Sequence, residues 1–112
     1  MFIDTQVRPQ GEQQQVGKLK LSEAIRIGAR IRPQCRYDAF RNGKSCAWGA
    51  AWEGSGHPYQ EDKTHVQIWA SSDEWMAASR ALRASCGVGV AELNDRGESR
   101  GQIANRLEAL GL

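Results

Sequence analysis

Three cysteines and two histidines are the side chains of this 112-residue chain best suited to metal binding. Cys35, Cys46, His57 and His65 carry the donor types that zinc prefers. Structural zinc sites use close pairs such as C-x2-C or H-x3-H, whereas ten, ten and seven residues separate these candidates. The sequence therefore predicts no metal and no cofactor, and it favours small buried thiols.

Cys46 is the candidate nucleophile, because a thiol near a helix start can have a lowered pKa and a histidine could activate it. Buried, unreactive cysteines are far commoner in small domains. The run Asn42-Gly-Lys-Ser45 resembles the end of a phosphate-binding loop, but Asp38 stands where that loop requires glycine. We therefore expect a protein that is not an enzyme and has no small-molecule substrate.

Basic side chains cluster in the first half of the chain. Residues 18–44 hold eight Lys and Arg against two acids, a net charge of +6, while residues 53–75 carry −4. Such a segment can bind nucleic acid, or it can complement the acidic segment in the same fold or in a neighbouring subunit. The candidate contact residues for nucleic acid or a protein partner are Lys18, Lys20, Arg26, Arg30, Arg36, Arg41 and Lys44.

Composition places the chain among ordinary globular proteins. Hydrophobic residues make up 40%, charged residues 25%, and mean hydropathy is −0.59, which excludes collagen, coiled coils and full disorder. No apolar run approaches the roughly 18 residues of a membrane span, and residues 1–17 lack the core of a secretory signal. Three widely spaced cysteines favour free thiols. These features predict a cytoplasmic protein without a membrane partner.

The chain divides into a flexible N-terminal arm, residues 1–17, and a single helical domain, residues 18–112. The arm is rich in Gln, and its Phe2, Ile3 and Val7 could form a short strand. Residues 64–69 alternate well enough to be a second strand, which would pair with the arm or with a partner chain.

The strongest predicted helix spans residues 21–32 and ends at Pro33. Gly28 indicates a close crossing with another helix, and Glu23 is expected to pair with Arg26. Its broad apolar arc comprises Leu21, Ala24, Ile25, Ile27, Gly28, Ala29 and Ile31.

Four further helices are predicted, over residues 46–53, 72–86, 88–94 and 99–110. Between the first two predicted helices, Asn42-Gly43 indicates a turn. Expected inward side chains are Tyr37, Phe40, Trp48, Trp52, Ile103, Leu107 and Leu110. The sequence thus predicts a mainly α fold, a small orthogonal bundle of four to five short helices with room for a minor two-stranded β element.

Three segments resemble a group of small, uncharacterised bacterial and phage proteins. These are Leu21-Ser-Glu-Ala-Ile-Arg-Ile-Gly-Ala29, Ser45-Cys-Ala-Trp-Gly-Ala-Ala51, and Leu93-Asn-Asp95 with Ser99-Arg-Gly-Gln-Ile-Ala104. The resemblance covers residues 18–110 and implies a fold and a phage or prophage origin, with no known activity. Relatives often carry a Cys-Pro-x-Cys-like pair where this chain has only Cys86, so no metal site is carried over.

Residues 99–104 also resemble the second helix of helix-turn-helix DNA-binding proteins. That motif requires a recognition helix to follow, and only a few residues follow here, so a packing helix pair is favoured. We expect a small cytoplasmic accessory protein that acts by protein contacts or self-association. The alternative is a nucleic-acid-binding module that uses residues 18–44 or the C-terminal helix pair.

Overall fold

The computed structural model describes residues 19–112. Lys18, the predicted arm over residues 1–17 and its predicted strand lie outside this range. The elements in chain order are α1 (Leu21–Ala29), β1 (Phe40–Arg41), β2 (Lys44–Ser45), α2 (Ala47–Gly54), α3 (His65–Trp69), α4 (Asp73–Cys86), α5 (Val90–Asp95) and α6 (Arg100–Ala109). The prediction of a mainly helical fold with a minor two-stranded antiparallel element is confirmed, with six helices in this range rather than four or five.

The hairpin lies at the predicted turn and not in the predicted strands. Asn42 and Gly43 have φ angles of 51° and 76°, which suit a tight turn between antiparallel strands. Phe40 pairs with Ser45 and Arg41 with Lys44. The hairpin leads directly into α2, whose N-cap is Cys46.

The strand predicted over residues 64–69 is wrong, because this segment forms α3. The Thr64 hydroxyl accepts a hydrogen bond from the Gln67 N–H at 3.2 Å, and the Gln67 side chain accepts one from the Thr64 N–H at 3.0 Å. This capping box starts a helix, and within it only Ile68 is buried. The reciprocal cap therefore outweighs the short alternating pattern, and the segment is helical.

Helix α1 crosses α2 at very close range, as Gly28 predicts. A Cβ atom on Gly28 would lie 1.8 Å from the Ala50 carbonyl oxygen, and one on Gly54 would lie 1.9 Å from that of Ala24. Only glycine fits at either position. The crossing places α1 and α2 at the centre of the core, and Trp48 of α2 packs on Trp75 of α4 with ring centroids 6.3 Å apart.

Helix α1 is shorter and buries a narrower face than the sequence predicts. It ends at Ala29 rather than at residue 32, and Ile27 and Ile31 are 38% and 49% exposed. Beyond this end, the Arg100 guanidinium of α6 donates to the carbonyl oxygens of Ala29 and Arg32. These carbonyls at the helix end thus find a partner in another element.

Most of the other predicted core positions are confirmed. Phe40, Trp48, Trp52, Ile103 and Leu107 are buried, whereas Leu110, predicted to face inward, is 42% exposed. Leu110 follows the last residue of α6, so it no longer continues the buried stripe of that helix. Among residues 19–112, no helix is long and apolar enough to cross a membrane.

Candidate functional site

A cleft of about 330 Å³ lies between the loop that precedes β1 and the segment that begins α3. Among its lining residues are Tyr37, Asp38, Glu61, Asp62, His65 and Val66. Tyr37 and Val66 are 64% and 58% exposed, which makes them the most exposed large hydrophobic side chains of the described range. The cleft therefore presents an aromatic ring and a branched aliphatic side chain beside carboxylates.

Tyr37 was expected to point inward, and this prediction is wrong. Its φ angle is 73°, in the left-handed region that bulky residues rarely adopt. The Asp95 carboxylate holds this conformation by accepting a hydrogen bond from the Tyr37 N–H at 2.7 Å. Phe40 fills the core position instead and packs against Tyr59, with ring centroids 4.7 Å apart. The fold thus holds the Tyr37 ring outward at a cost in backbone strain.

Glu61 supplies a fixed negative charge to the cleft. Its carboxylate accepts hydrogen bonds from the Tyr59 hydroxyl and, at 3.2 Å, from the Asn42 N–H. The bond from Tyr59 is the main cause that lowers the pKa of Glu61 below its ordinary value, and the same bond raises the pKa of Tyr59. The Arg32 guanidinium carbon lies 4.5 Å from the centroid of the Tyr59 ring, and this contact helps to hold Tyr59 in place.

The Cys46 thiol and the His65 imidazole come together, with 3.2 Å between Sγ and Nε2. Cys46 is fully buried, and loss of solvent around the thiol raises its pKa to about 12. The thiol therefore stays protonated at neutral pH and is a poor nucleophile. His65 lines the cleft, so the contact fixes the position of the imidazole rather than activating the sulfur.

The four zinc-type side chains do not assemble. His57 stacks on Trp52 with ring centroids 3.9 Å apart, away from the contact between Cys46 and His65. In the part of the chain that the structure describes, no group of three or more His, Cys, Asp and Glu side chains comes close enough to share a metal ion.

Buried polar side chains hold the loop that carries Tyr37. Asn94 is fully buried, donates to the Cys35 carbonyl oxygen at 2.8 Å, and accepts from the Gln34 amide and the Ala47 N–H. Arg100, 7% exposed, donates to the Ser45 hydroxyl at 2.9 Å and to the Arg32 carbonyl oxygen at 2.8 Å. Desolvation lowers the pKa of Arg100.

The sequence pattern gives little indication of this polar network. The spacing of Val90, Leu93 and Asn94 offered one signal, because it places Asn94 on the buried face of α5. Nothing in the local sequence indicated that Arg100 would fold inward.

The predicted contact residues divide among several surfaces. Arg26 and Arg30 line an open groove of about 440 Å³ with Ser99, Gly101 and Gln102 at the start of α6. Arg26 is held there by Glu108 at 2.6 Å and by Asn105 at 2.7 Å. The predicted pair of Glu23 with Arg26 is therefore wrong, since Glu23 instead accepts a hydrogen bond from the Lys20 N–H.

The remaining predicted cations lie elsewhere. Arg36 lies against Gly97, close to the start of α6 in the chain. Arg41 pairs with Asp38 beside the cleft, and both side chains are more than half exposed. Lys44 is exposed on β2, and Lys20 lines a different groove at the start of α1. The structure thus brings Arg26 and Arg30 together and leaves Arg41, Lys44 and Lys20 outside that groove.

Comparison of this chain with protein-family models, with curated proteins and with solved structures finds no match.

Proposed function

We propose that this protein is a small accessory protein that acts by protein–protein contacts, and that the cleft at Tyr37 and Val66 is its contact surface. The exposed Tyr37 ring, held in a left-handed backbone conformation by Asp95, is the observation that carries the proposal. Strained backbone that surrounding residues enforce is concentrated at functional sites. Tyrosine is also enriched among the residues that dominate binding energy at interfaces.

The partner segment we propose is basic and carries an apolar side chain. The lining of the cleft includes three acidic side chains, Asp38, Glu61 and Asp62, and one cation, Lys63, while Arg41 beside the cleft offsets the charge of Asp38. Complementary charge gives such an interface specificity and a fast association rate. The apolar side chain of the partner would pack against Tyr37 and Val66, which are otherwise exposed to water.

Binding rather than catalysis is proposed because the chemistry that Cys46 and His65 could supply is suppressed by burial of the thiol. A cytoplasmic location belongs to the same proposal. Cys35, Cys46 and Cys86 are free thiols, which is the state that a reducing compartment maintains. The phage or prophage origin stays a prediction from the sequence.

Fluorescence anisotropy with labelled peptide pools tests the proposed contact. One pool places Lys or Arg on both sides of an apolar residue, and the other places Asp or Glu there. We expect only the basic pool to bind, with an affinity that falls as salt rises. Tyr37→Ser should weaken binding about tenfold or more.

Ile31→Ser is the matched control, because it removes a similarly exposed apolar side chain that does not line the cleft. Equal binding of both pools, or equal loss in Tyr37→Ser and Ile31→Ser, would contradict the proposal. Sedimentation of the unmodified chain distinguishes a separate partner from a second copy of this chain, which itself carries the basic residues 18–44.

Nucleic-acid binding is the second candidate, and one arrangement favours it. Arg26 and Arg30 of the basic segment line the same groove as the N-terminus of α6. The two segments that the sequence offers for nucleic-acid binding therefore meet at this groove. A helix N-terminus and two guanidinium groups suit phosphate. Glu108 weakens this candidate, since it neutralises Arg26 at 2.6 Å.

A gel shift with mixed DNA and RNA at two salt concentrations tests the second candidate. Binding to this groove should weaken steeply with salt. The Arg26→Gln, Arg30→Gln double variant should flatten that dependence. We expect no such binding, and submicromolar binding that disappears in the double variant would replace the protein-contact proposal.

A further inference from the structure

A groove of about 280 Å³ lies between the end of α3 and one face of α4, and we call it the α3–α4 groove. Trp69, the last residue of α3, forms one side of it. The other side consists of four α4 residues, Met76, Ser79, Arg80 and Arg83. These α4 positions recur at the spacing of one helical turn, so they share one face of the helix. The groove therefore has an apolar part, at Trp69 and Met76, and a basic part.

The apolar part of the α3–α4 groove is suited to an apolar side chain. Trp69 and Met76 are both partly exposed, and Trp69 packs from the surface against the hydrophobic core, which holds its ring in place. Tryptophan is enriched among the residues that dominate binding energy at interfaces. The flexible methionine side chain adapts to the shape of an apolar partner. Burial of these two side chains by a partner would therefore favour binding.

The basic part of the groove has one guanidinium that is available to a partner. The lining contains two cations, Arg80 and Arg83, and no acid. Arg83 is paired, because its guanidinium lies 2.7 Å from the Glu92 carboxylate of α5. Arg80 is exposed, and within residues 19–112 no carboxylate forms an ion pair with it. The positive charge that the groove offers is therefore that of Arg80.

The surrounding acids decide where a negative group would bind. Asp73 is exposed one helical turn before Met76, so it repels a negative group at the apolar end, while Glu74 borders a different groove. Arg80 lies one turn after Met76, about 6 Å along the helix axis. Alternate side chains of an extended peptide are separated by about 6.6 Å on one face. An apolar residue and an acidic residue two positions apart therefore match Met76 and Arg80.

We propose that the α3–α4 groove binds an acidic segment of a partner protein, with an apolar side chain between Trp69 and Met76 and a carboxylate on Arg80. A guanidinium binds a carboxylate through two parallel hydrogen bonds. Single-stranded nucleic acid fits less well, because its backbone needs a continuous basic track and Asp73 interrupts one here. The groove shares no lining residue with the cleft at Tyr37, so either proposal can fail without the other.

Indole NMR of the full ¹⁵N-labelled chain tests this site. The four tryptophans give four indole signals, and Trp69→Phe assigns one of them. The probes are acetyl-Leu-Ala-Glu-amide and acetyl-Glu-Ala-Leu-amide, which present the same two side chains in either chain direction. We expect at least one probe to shift the Trp69 signal saturably, with an affinity that falls as salt rises. The same peptides with Gln in place of Glu should bind about fivefold more weakly or worse.

Arg80→Gln should weaken peptide binding about fivefold or more, because it removes the guanidinium that the carboxylate needs. Arg30→Gln is the matched control, since it removes an exposed guanidinium that lines a different groove. A Trp69 signal that responds to neither peptide overturns the proposal. So does equal binding of the Glu and Gln peptides, or equal weakening in the two variants. A single-stranded oligonucleotide that shifts the Trp69 signal at lower concentration than the peptides, and does so only with Arg80 present, would assign the groove to nucleic acid instead.

Discussion

At the scale of single residues, Tyr37 and Asn94 have contrasting roles on the two sides of one loop. Tyr37 faces solvent with a positive φ angle, while Asn94 is fully buried and forms three hydrogen bonds to residues 34–47. One residue presents the surface and the other fixes the loop that carries it. Substitutions at the two positions should therefore separate binding from stability.

Tyr37→Gly should remove binding and leave stability intact. Glycine adopts a φ of 73° without the steric cost that tyrosine has, although it adds entropy to the unfolded chain. We expect the free energy of unfolding in urea to be unchanged or raised by up to about 1 kcal/mol. Binding of the basic peptide pool should be lost. A large loss of stability would show that the ring supports the fold.

Asn94→Ala should, in contrast, lower the stability of the fold. It leaves the buried Ala47 N–H and Cys35 carbonyl without partners, so we expect a loss of about 2–4 kcal/mol in the free energy of unfolding. Asn105→Ala is the control, because Asn105 is exposed and its side-chain oxygen accepts a hydrogen bond from the Arg26 guanidinium at the surface. Its effect should stay within about 0.5 kcal/mol. Similar losses in both variants would contradict the role assigned to Asn94.

At the scale of elements, the structure distinguishes signals that are local from those that depend on packing. Ser72 and Ser99 are the N-caps of α4 and α6, and each accepts a hydrogen bond from an N–H in the first turn of its helix, so these helix starts depend on local sequence alone. The same capping rule, applied to Thr64 and Gln67, identifies the start of α3, where the alternation of residues 64–69 predicted a strand. The contacts at the end of α1 could not be predicted, since the donor to its carbonyl oxygens is Arg100, far along the chain. The Tyr37 and Val66 cleft lies between the loop before β1 and the segment that begins α3, so no single segment of sequence indicated it.

Glycine-to-alanine substitutions should have opposite effects in two helices. Gly28→Ala places a methyl group 1.8 Å from the Ala50 carbonyl oxygen, and we expect a loss of about 2–3 kcal/mol or a failure to fold. In α6 the nearest atom to a Cβ on Gly101 is 3.9 Å away, so Gly101→Ala should raise stability by up to about 1 kcal/mol. Thermal unfolding of both variants measures this, and equal effects would refute the close crossing of α1 and α2.

The stack between His57 and Trp52 of α2 should make stability depend on pH. Partial loss of solvent around the imidazole, followed by the nearby Lys63 charge, lowers the pKa of His57. The unfolded chain therefore takes up the proton first, and this contribution to stability is present above the unfolded pKa near 6.5 and is lost as pH falls through it. His57→Phe keeps the stack, and it should reduce the fall in melting temperature between neutral pH and mildly acidic pH. An equal fall in melting temperature in His57→Phe and the unmodified chain would show that other titratable groups cause it.

At the scale of the whole molecule, the basic segment does not act as one block. Arg32 pairs with Glu53 at 2.6 Å, Arg26 with Glu108 at 2.6 Å, and Arg41 with the neighbouring Asp38. The pair of Arg32 with Glu53 joins the basic and acidic segments, as one of the two interpretations of the charge pattern expects. The sum of charges along the sequence could not show this division, because it carries no information on which side chains face each other.

Chemical-shift mapping of the ¹⁵N-labelled chain tests whether the cleft at Tyr37 and Val66 binds a basic protein segment. The basic peptide pool and a mixed oligonucleotide are titrated in turn under one set of conditions. We expect the peptides to shift the amides of Tyr37, Asp62 and Val66, and the oligonucleotide to produce no saturable shifts. Saturable shifts at Arg30, Gly101 and Gln102 with the oligonucleotide, and none at Tyr37 with the peptides, would contradict it.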